Sequence, residues 1–169
     1  MDVRLRPLRP DDETVALAAH AELAALGFEF LLGWDVAVDW TRYLDHRAAQ
    51  QRGEGLGKML VPSTFLLAER AGEVVGRVSI RHRLNELLLH EGGHIGLGVR
   101  PRFQRQGLGT QMLCQALVVA RSYGIDRILI TCDDDNLASA AMIECCGGVL
   151  ESVVDNAEGT RPVRRYWVG

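Results

Sequence analysis

The chain has 169 residues, with 22 aspartates and glutamates against 19 lysines and arginines, 47% apolar residues and 24% charged ones. That length suits one domain, residues 1–169, with room for a sheet and several helices, and excludes a disordered tail, a collagen-like fibre and a small disulfide scaffold. A net charge of −3 offers nucleic acid no global attraction, and no stretch approaches the roughly 18 uninterrupted apolar residues of a membrane helix, so neither is an expected partner.

At the start of the chain, Met1 to Arg6 lacks the apolar run of a secretory signal, which makes the cytoplasm the expected location. Val3 to Arg6 reads as a first strand. Pro10, Asp11, Asp12 and Glu13 then precede Val15, Ala16 and Leu17. Acidic residues there face the unpaired amides and the positive dipole end of a helix start, and this helix runs to Leu26 before Gly27. Signals weaken from Gly33 to Leu60, where a helix is expected around Trp34 to Arg47 and a mobile loop at Gly53 to Gly57. Thr64 to Arg70 and Glu73 to Ile80 are apolar runs separated by Ala71-Gly72, a hairpin signal. A polar connection from Arg81 to Gly93 holds a short helical stretch, Asn85 to His90. Ile95 to Val99 is a strand whose glycines permit a bulge or a close backbone approach.

Farther on, Leu108, Met112, Leu113, Ala116, Leu117, Ala120 and Tyr123 form one helical face, closed by Gly124. Arg127 to Cys132 is dense enough in Ile and Leu to be central in a sheet. Asp133 to Asn136 opens another helix through Cys145, ended by Gly147-Gly148, and Val149 to Val154 and Val163 to Val168 are closing strands. This alternation predicts a mixed α/β, α+β-like fold. Cys114, Cys132, Cys145 and Cys146 show no C-x-x-C spacing; they read as reduced and mostly buried, with no metal expected.

The run most suggestive of chemistry is Val99 to Thr110, between a strand and a strong amphipathic helix. A helix start leaves backbone N–H groups unpaired, and glycine lets phosphate oxygens approach them. No Asp or Glu occurs from Gly92 through Ile125, whereas Arg100, Arg102, Arg105 and Arg121 do, which predicts a local positive field. The plainer reading is a tight strand-to-helix turn with solvated arginines. A P-loop is excluded, since G-x-x-x-x-G-K-[ST] is absent and the only lysine, Lys58, is distant. A dinucleotide fingerprint fails where Met112 stands in place of a third glycine.

Gln104-x-x-Gly107-x-Gly109, after a strand ending Leu97-Gly98-Val99-Arg100-Pro101, closely resembles motif A of the GNAT superfamily, the acyl-CoA-dependent N-acetyltransferases. The resemblance continues through the preceding hairpin, the strand at Arg127, Asn136-x-x-Ser139 and Gly147-Gly148. Ile130 to Asp133, Asn136, Ser139, Ile143-Glu144 and Gly147 to Glu151 resemble a subgroup of predicted acetyltransferases of unknown substrate. The resemblance implies a central, mostly antiparallel twisted sheet of six to seven strands flanked by about four helices and split at the strand ending near Val99.

It also implies acetyl-CoA as cosubstrate. Its pyrophosphate would lie on the backbone amides of Arg105, Gln106, Gly107, Leu108, Gly109 and Thr110 beside Gln104, and its arm would pair with Leu97, Gly98 and Val99 and meet Asn136 and Ser139. Asn136 reads equally as a helix N-cap. The implied reaction is direct attack of a primary amine on the thioester in a ternary complex, with an oxyanion donor among the amides near Leu97 to Val99. Many relatives carry a tyrosine acid four residues after the serine, where this chain has Ile143. Either another group protonates the sulfur, or it leaves as a thiolate whose thiol has a pKa of order 8.5.

His82 and His94 flank the strand bearing the thioester site and are candidate general bases, since imidazole titrates nearest neutrality; packing or substrate binding is the plainer reading of each. Arg81, His82 and Asn85 match a pattern recurring in the subgroup and are candidate substrate-pocket residues. Glu86, Glu91 and Asp133 are acidic residues suited to a cationic amine. The expected acceptor is a small-molecule amine or the amine of a peptide or protein, taken by a monomer or homodimer. A competing reading is a sensor or interaction module that binds acyl-CoA with weak or no catalysis. His90-Glu91-Gly92-Gly93-His94 spells the zinc-protease H-E-x-x-H, but that chemistry needs one continuous helix, and two glycines costing roughly 1 kcal/mol each relative to alanine interrupt it.

Overall fold

The structure, a computed structural model, describes residues 2–169. In chain order it comprises β1 (Arg4–Arg6), α1 (Glu13–Ala24), α2 (Trp40–Arg52), β2 (Ser63–Arg70), β3 (Glu73–Arg81), α3 (Glu86–His90), β4 (Ile95–Val99), α4 (Leu108–Ser122), β5 (Ile128–Asp133), α5 (Leu137–Cys145), β6 (Val149–Asp155) and β7 (Pro162–Val168). Short 3₁₀ turns at Pro10–Asp12 and Pro101–Phe103 precede α1 and α4. Among the described residues, no helix is long and apolar enough to cross a membrane.

All strand ladders are antiparallel and form two sheets, ordered β1-β2-β3-β4 and β5-β7-β6. The sheets are stitched at His94, just before β4: its backbone N–H donates to Leu129 O at 2.7 Å, and the Leu129 N–H donates to His94 Nδ1 at 2.9 Å. Past that point β4 and β5 share no ladder. The expected split is therefore present. No bulge makes it, because the β3–β4 register runs unbroken from Ile80↔Ile95 to Gly76↔Val99. Nor is β5 central within its own sheet; it is an outer strand beside the split.

The bulge sits in β3 instead. Ala68 pairs with Gly76 and Glu69 with Val74, leaving Val75 as the extra residue. Strand side chains alternate faces, so one extra residue changes the parity of everything after it. Val75, Val78 and Ile80 accordingly join the apolar cluster under α4, with Leu113, Ile128 and Tyr166. Arg77, Ser79 and Arg81 turn to the other face, where Phe30, Leu31, Tyr43, Phe65 and Leu67 form a second cluster under α1 and α2.

The second helix begins six residues later than its pattern suggests. The Asp35 side chain accepts from Ala37 N at 2.9 Å and holds a turn there; Asp39 then caps the helix through Arg42 N, and Gly53, at φ +79°, ends it. The cysteines are free but not mostly buried. Cys114 and Cys145 are exposed and Cys132 and Cys146 half-buried, since the buried face of α4 is carried by Met112, Leu113, Ala116 and Leu117, leaving Cys114 outward.

Candidate functional site

A cavity of about 520 Å³ opens where β4 and β5 part, walled by β4, the turn before α4, the start of α5 and the end of α1. The turn is built by two left-handed residues, Arg105 (φ +57°) and Gly107 (φ +73°), with Leu108 starting the helix. Gln104 Nε2 closes it by donating to Val99 O at 3.1 Å. The backbone amides of 105–110 donate to no acceptor among the described residues. Six consecutive unpaired amides at a helix start could hold an anion. The two glycines act differently: Gly107 supplies a conformation, whereas Gly109 supplies space, because a Cβ there would meet Met142 Sδ at 3.0 Å.

The arginines contribute less than their sequence grouping predicts. Arg100 is buried and bound to Glu22 through Nε (2.9 Å) and Nη2 (2.5 Å) and to Val74 O through Nη1 (3.0 Å). Arg102 pairs with Glu73 at 3.1 Å, and Arg121 donates to Gly169 O at 2.7 Å. Of the four, only Arg105 lines the cavity, and it forms no ion pair among the described residues. The positive field at this site therefore comes from the amides and one guanidinium.

Leu97, Gly98, Val99, Gln104, Arg105, Gly107, Leu108, Gly109, Thr110, Asn136 and Ser139 all line this cavity; Gln106 does not. Its side chain accepts from Arg70 Nη1 and donates to Arg102 O, each at 3.2 Å, on the exposed surface. Asn136 does cap α5, its Oδ1 accepting from Ser139 N at 3.0 Å. Sequence reasoning missed Leu23, Leu26 and Phe28, which close the cavity from α1 and the turn after it, as well as Phe103 and Met142. Only contact shows them: a Cβ at Gly98 would lie 2.4 Å from the Phe28 ring, so Gly98 exists to let that ring pack. Ile143 is buried in the core against Gly148 and is not among the lining residues.

The candidate bases lie elsewhere. His94, 8% exposed, has its Nδ1 lone pair occupied by the Leu129 amide, so it serves as the rivet between the sheets. His82 Nε2 lies 2.8 Å from Thr64 Oγ1, which donates onward to Tyr123 Oη at 2.9 Å, and its ring stacks on Tyr123 at 4.0 Å. Burial lowers the pKa of both imidazoles. His82 lines neither this cavity nor its neighbour.

That neighbour, about 400 Å³, lies on the α1–α2 face, with Glu29, Arg47, Gln50, Ser63, Ser79 and Arg81 among its walls. Arg81 Nη1 donates to Gly92 O (2.8 Å) and Gly93 O (3.0 Å). Asn85 is the α3 cap, accepting from Leu88 N and donating to Met59 O, and is not a wall residue. The H-E-x-x-H run breaks into helix, glycine turn and strand, with His90 bonded to Asp155 O and His94 to Leu129. No group of three or more metal-ligating side chains is placed to hold an ion among the described residues.

Comparison with known proteins agrees with this geometry. The model of the acetyltransferase (GNAT) family matches residues 34–147. A mycothiol acetyltransferase of Streptomyces coelicolor is 34% identical over 92 residues, covering 52% of this chain and 28% of that protein, and one of Thermobispora bispora is 35% identical over 92 residues, covering 51% and 30%. The chain thus matches under a third of the length of these curated relatives. RimJ of Mycobacterium smegmatis, solved with a CoA-disulfide, superposes with a TM-score of 0.73 at 20% identity over 98% of this chain and 81% of that one. A Salmonella typhimurium protein described as a putative acetyltransferase, solved with acetyl-CoA, gives 0.67 at 18% identity over 99% and 94%. With two thirds of its length matched by the family model, and with the split sheet and the amide-lined turn in place, the chain belongs to the acetyltransferase (GNAT) family.

Proposed function

We propose that the chain transfers an acetyl group from acetyl-CoA to an amine by direct attack in a ternary complex. The observation that carries this reading is the row of unpaired amides at 105–110, a cradle suited to a pyrophosphate. Acetyl-CoA bound there would supply an acyl group activated as a thioester. The curated relatives are named acetyltransferases; the match spans too little of them to carry their acceptor.

In this reading the 105–110 amides and the Arg105 guanidinium hold the pyrophosphate, and Asn136 and Ser139 border the arm. Arg81 N donates to His94 O and Arg100 N to Val75 O, so the even-numbered residues of β4 face β3. By alternation, Leu97 and Val99 turn their amides into the split, ready to pair with the arm and to donate to a developing oxyanion. A C–N bond forms as the C–S bond breaks, coenzyme A would leave as its thiolate, and the amine loses a proton. No histidine lines either cavity, so in this reading that proton passes to water.

Thermal unfolding with acetyl-CoA tests the site. At about a hundred times its dissociation constant the ligand should add roughly 2.7 kcal/mol of stability. Gly107→Asn and Gly107→Asp are matched in size, and both tolerate a left-handed backbone. Only the aspartate places a negative charge among the amides. The stabilisation should survive the first and vanish in the second; equal behaviour would sink the amide cradle. Thiol release with an amine panel then reads transfer itself.

A further inference from the structure

We propose that the acceptor is an amine that also bears a carboxylate, and that the cavity on the α1–α2 face is its site, with Arg47 and Arg81 holding the carboxylate. The proposal rests on the acetyl-transfer reading and names its substrate class.

The cavity has an excess of uncommitted positive charge. Arg47 reaches it from α2 and Arg81 from β3. Neither forms an ion pair with a carboxylate among the described residues. The buried Arg47 Nε has no acceptor among the described residues, its guanidinium lying 5.2 Å from the Tyr43 ring centre. Arg81 uses only Nη1, on the two glycine carbonyls, leaving Nη2 and Nε unspent. Arg77, on the same face of β3 and 4% exposed, hydrogen-bonds only to carbonyls, Gly96 O and Glu29 O, with Nε unsatisfied and its guanidinium 4.5 Å from the Phe28 ring centre. Guanidiniums withdrawn from water without a counter-ion are costly. Arg47 and Arg81, half-buried and reaching one cavity from separate elements, offer between them the kind of donors a carboxylate accepts. Burial and mutual repulsion lower the pKa of Arg77 to about 9, in keeping with that unmet demand.

The same cavity holds one carboxylate. Glu29 faces it while accepting from Gly33 N at 2.6 Å. Its chain neighbour Phe28 packs on Gly98 in the wall of the acyl-donor cavity. A molecule with its carboxylate on Arg47 and Arg81 and its ammonium at Glu29 would place its nitrogen at the residue next to Phe28, which walls the acyl-donor cavity. Ser63, Ser79 and Gln50 add neutral polar groups along its length.

The test is calorimetric titration of the CoA-saturated chain with matched probes. These are β-alanine against β-alaninamide, 4-aminobutanoate against 4-aminobutanamide, and C-terminally amidated tripeptides starting with Asp against those starting with Asn. The carboxylate member of at least one pair should bind about tenfold tighter or more, the range of a charge-assisted hydrogen bond. Arg47→Met should remove that preference while leaving CoA affinity unchanged, and Arg47→Lys should restore part of it. A preference confined to the tripeptides assigns the carboxylate to a peptide, and one confined to the free acids assigns it to a small molecule. Equal binding of both members of every pair, absence of binding by every carboxylate probe, or a preference untouched by Arg47→Met overturns the proposal. If CoA itself fails to bind, the acetyl-transfer reading falls and the probe pairs are read on the free chain, which keeps the two failures distinct.

Discussion

His94 shows how one side chain can serve as a strand partner. Its backbone N–H and its Nδ1 bracket Leu129 as two ladder bonds would, so the join holds only while Nδ1 carries a lone pair. Burial lowers its pKa, a backbone contact with Leu129 opposes this, and the Arg81 charge lowers it further. Geometry sides with burial, because a proton on Nδ1 would face the Leu129 N–H, donor against donor. With the folded pKa below that of the unfolded chain, the stabilising contribution is complete above pH ~6.5 and is lost as pH falls through the folded pKa. Urea midpoints should therefore drop between pH 7.5 and 5.5. In His94→Asn, whose Oδ1 can accept the same bond without titrating, the drop should shrink to the part left by the chain's other titratable groups; an unchanged drop would refute the rivet. At this scale the sequence was legible for residues whose role is set by their neighbours in the chain, such as Gly107 and Asn136. Phe28, Glu29 and Arg47 carried no signal, because their roles come from contacts across many residues.

Among the elements, the strand-to-helix turn could be read directly from Gln104, Gly107 and Gly109, and the hairpin from Ala71-Gly72, whose φ values of +52° and +82° suit a tight two-residue turn. What misled was charge counted along the chain. Arg100, grouped in sequence with the stretch proposed to bind pyrophosphate, is a buried strut between α1 and β3. Arg100→Ala should cost about 2 kcal/mol in urea unfolding, since it orphans the Val74 carbonyl and removes the partner that holds the Glu22 carboxyl below its ordinary pKa. A cost near zero would mean that water replaces the guanidinium. The position of the bulge was equally hidden: glycines in β4 suggested one, yet an apolar Val75 carries it, and only partner register distinguishes the two.

Across the whole molecule, the two apolar clusters lie on opposite faces of β2 and β3, so neither can melt without disturbing strands that support the other. Leu113→Ala in one and Phe30→Ala in the other should cost roughly 2–5 and 3–5 kcal/mol. Both should appear as shifts of one urea transition whose effects add, being far apart and without shared contacts. Two separable transitions would show that the faces unfold independently. The fold class was readable from alternating strand and helix signals, whereas the split beside β4 was foreseen only through the family resemblance, because no local pattern marks that β4 and β5 share no ladder.

The bulged residue of β3 has a consequence for how such a surface can arise or vanish. Arg77, Ser79 and Arg81 lie on the α1–α2 side of the sheet only because one residue upstream is uncounted by the partner strand. A single-codon deletion at Val75 would act on the folded strand as a reading-frame change acts on a message: every later side chain would keep its identity and exchange its address. Valine and isoleucine would then face the cavity and the guanidiniums the α4 core. The chemistry of the second cavity is thus encoded as much by the length of β3 as by the residues in it.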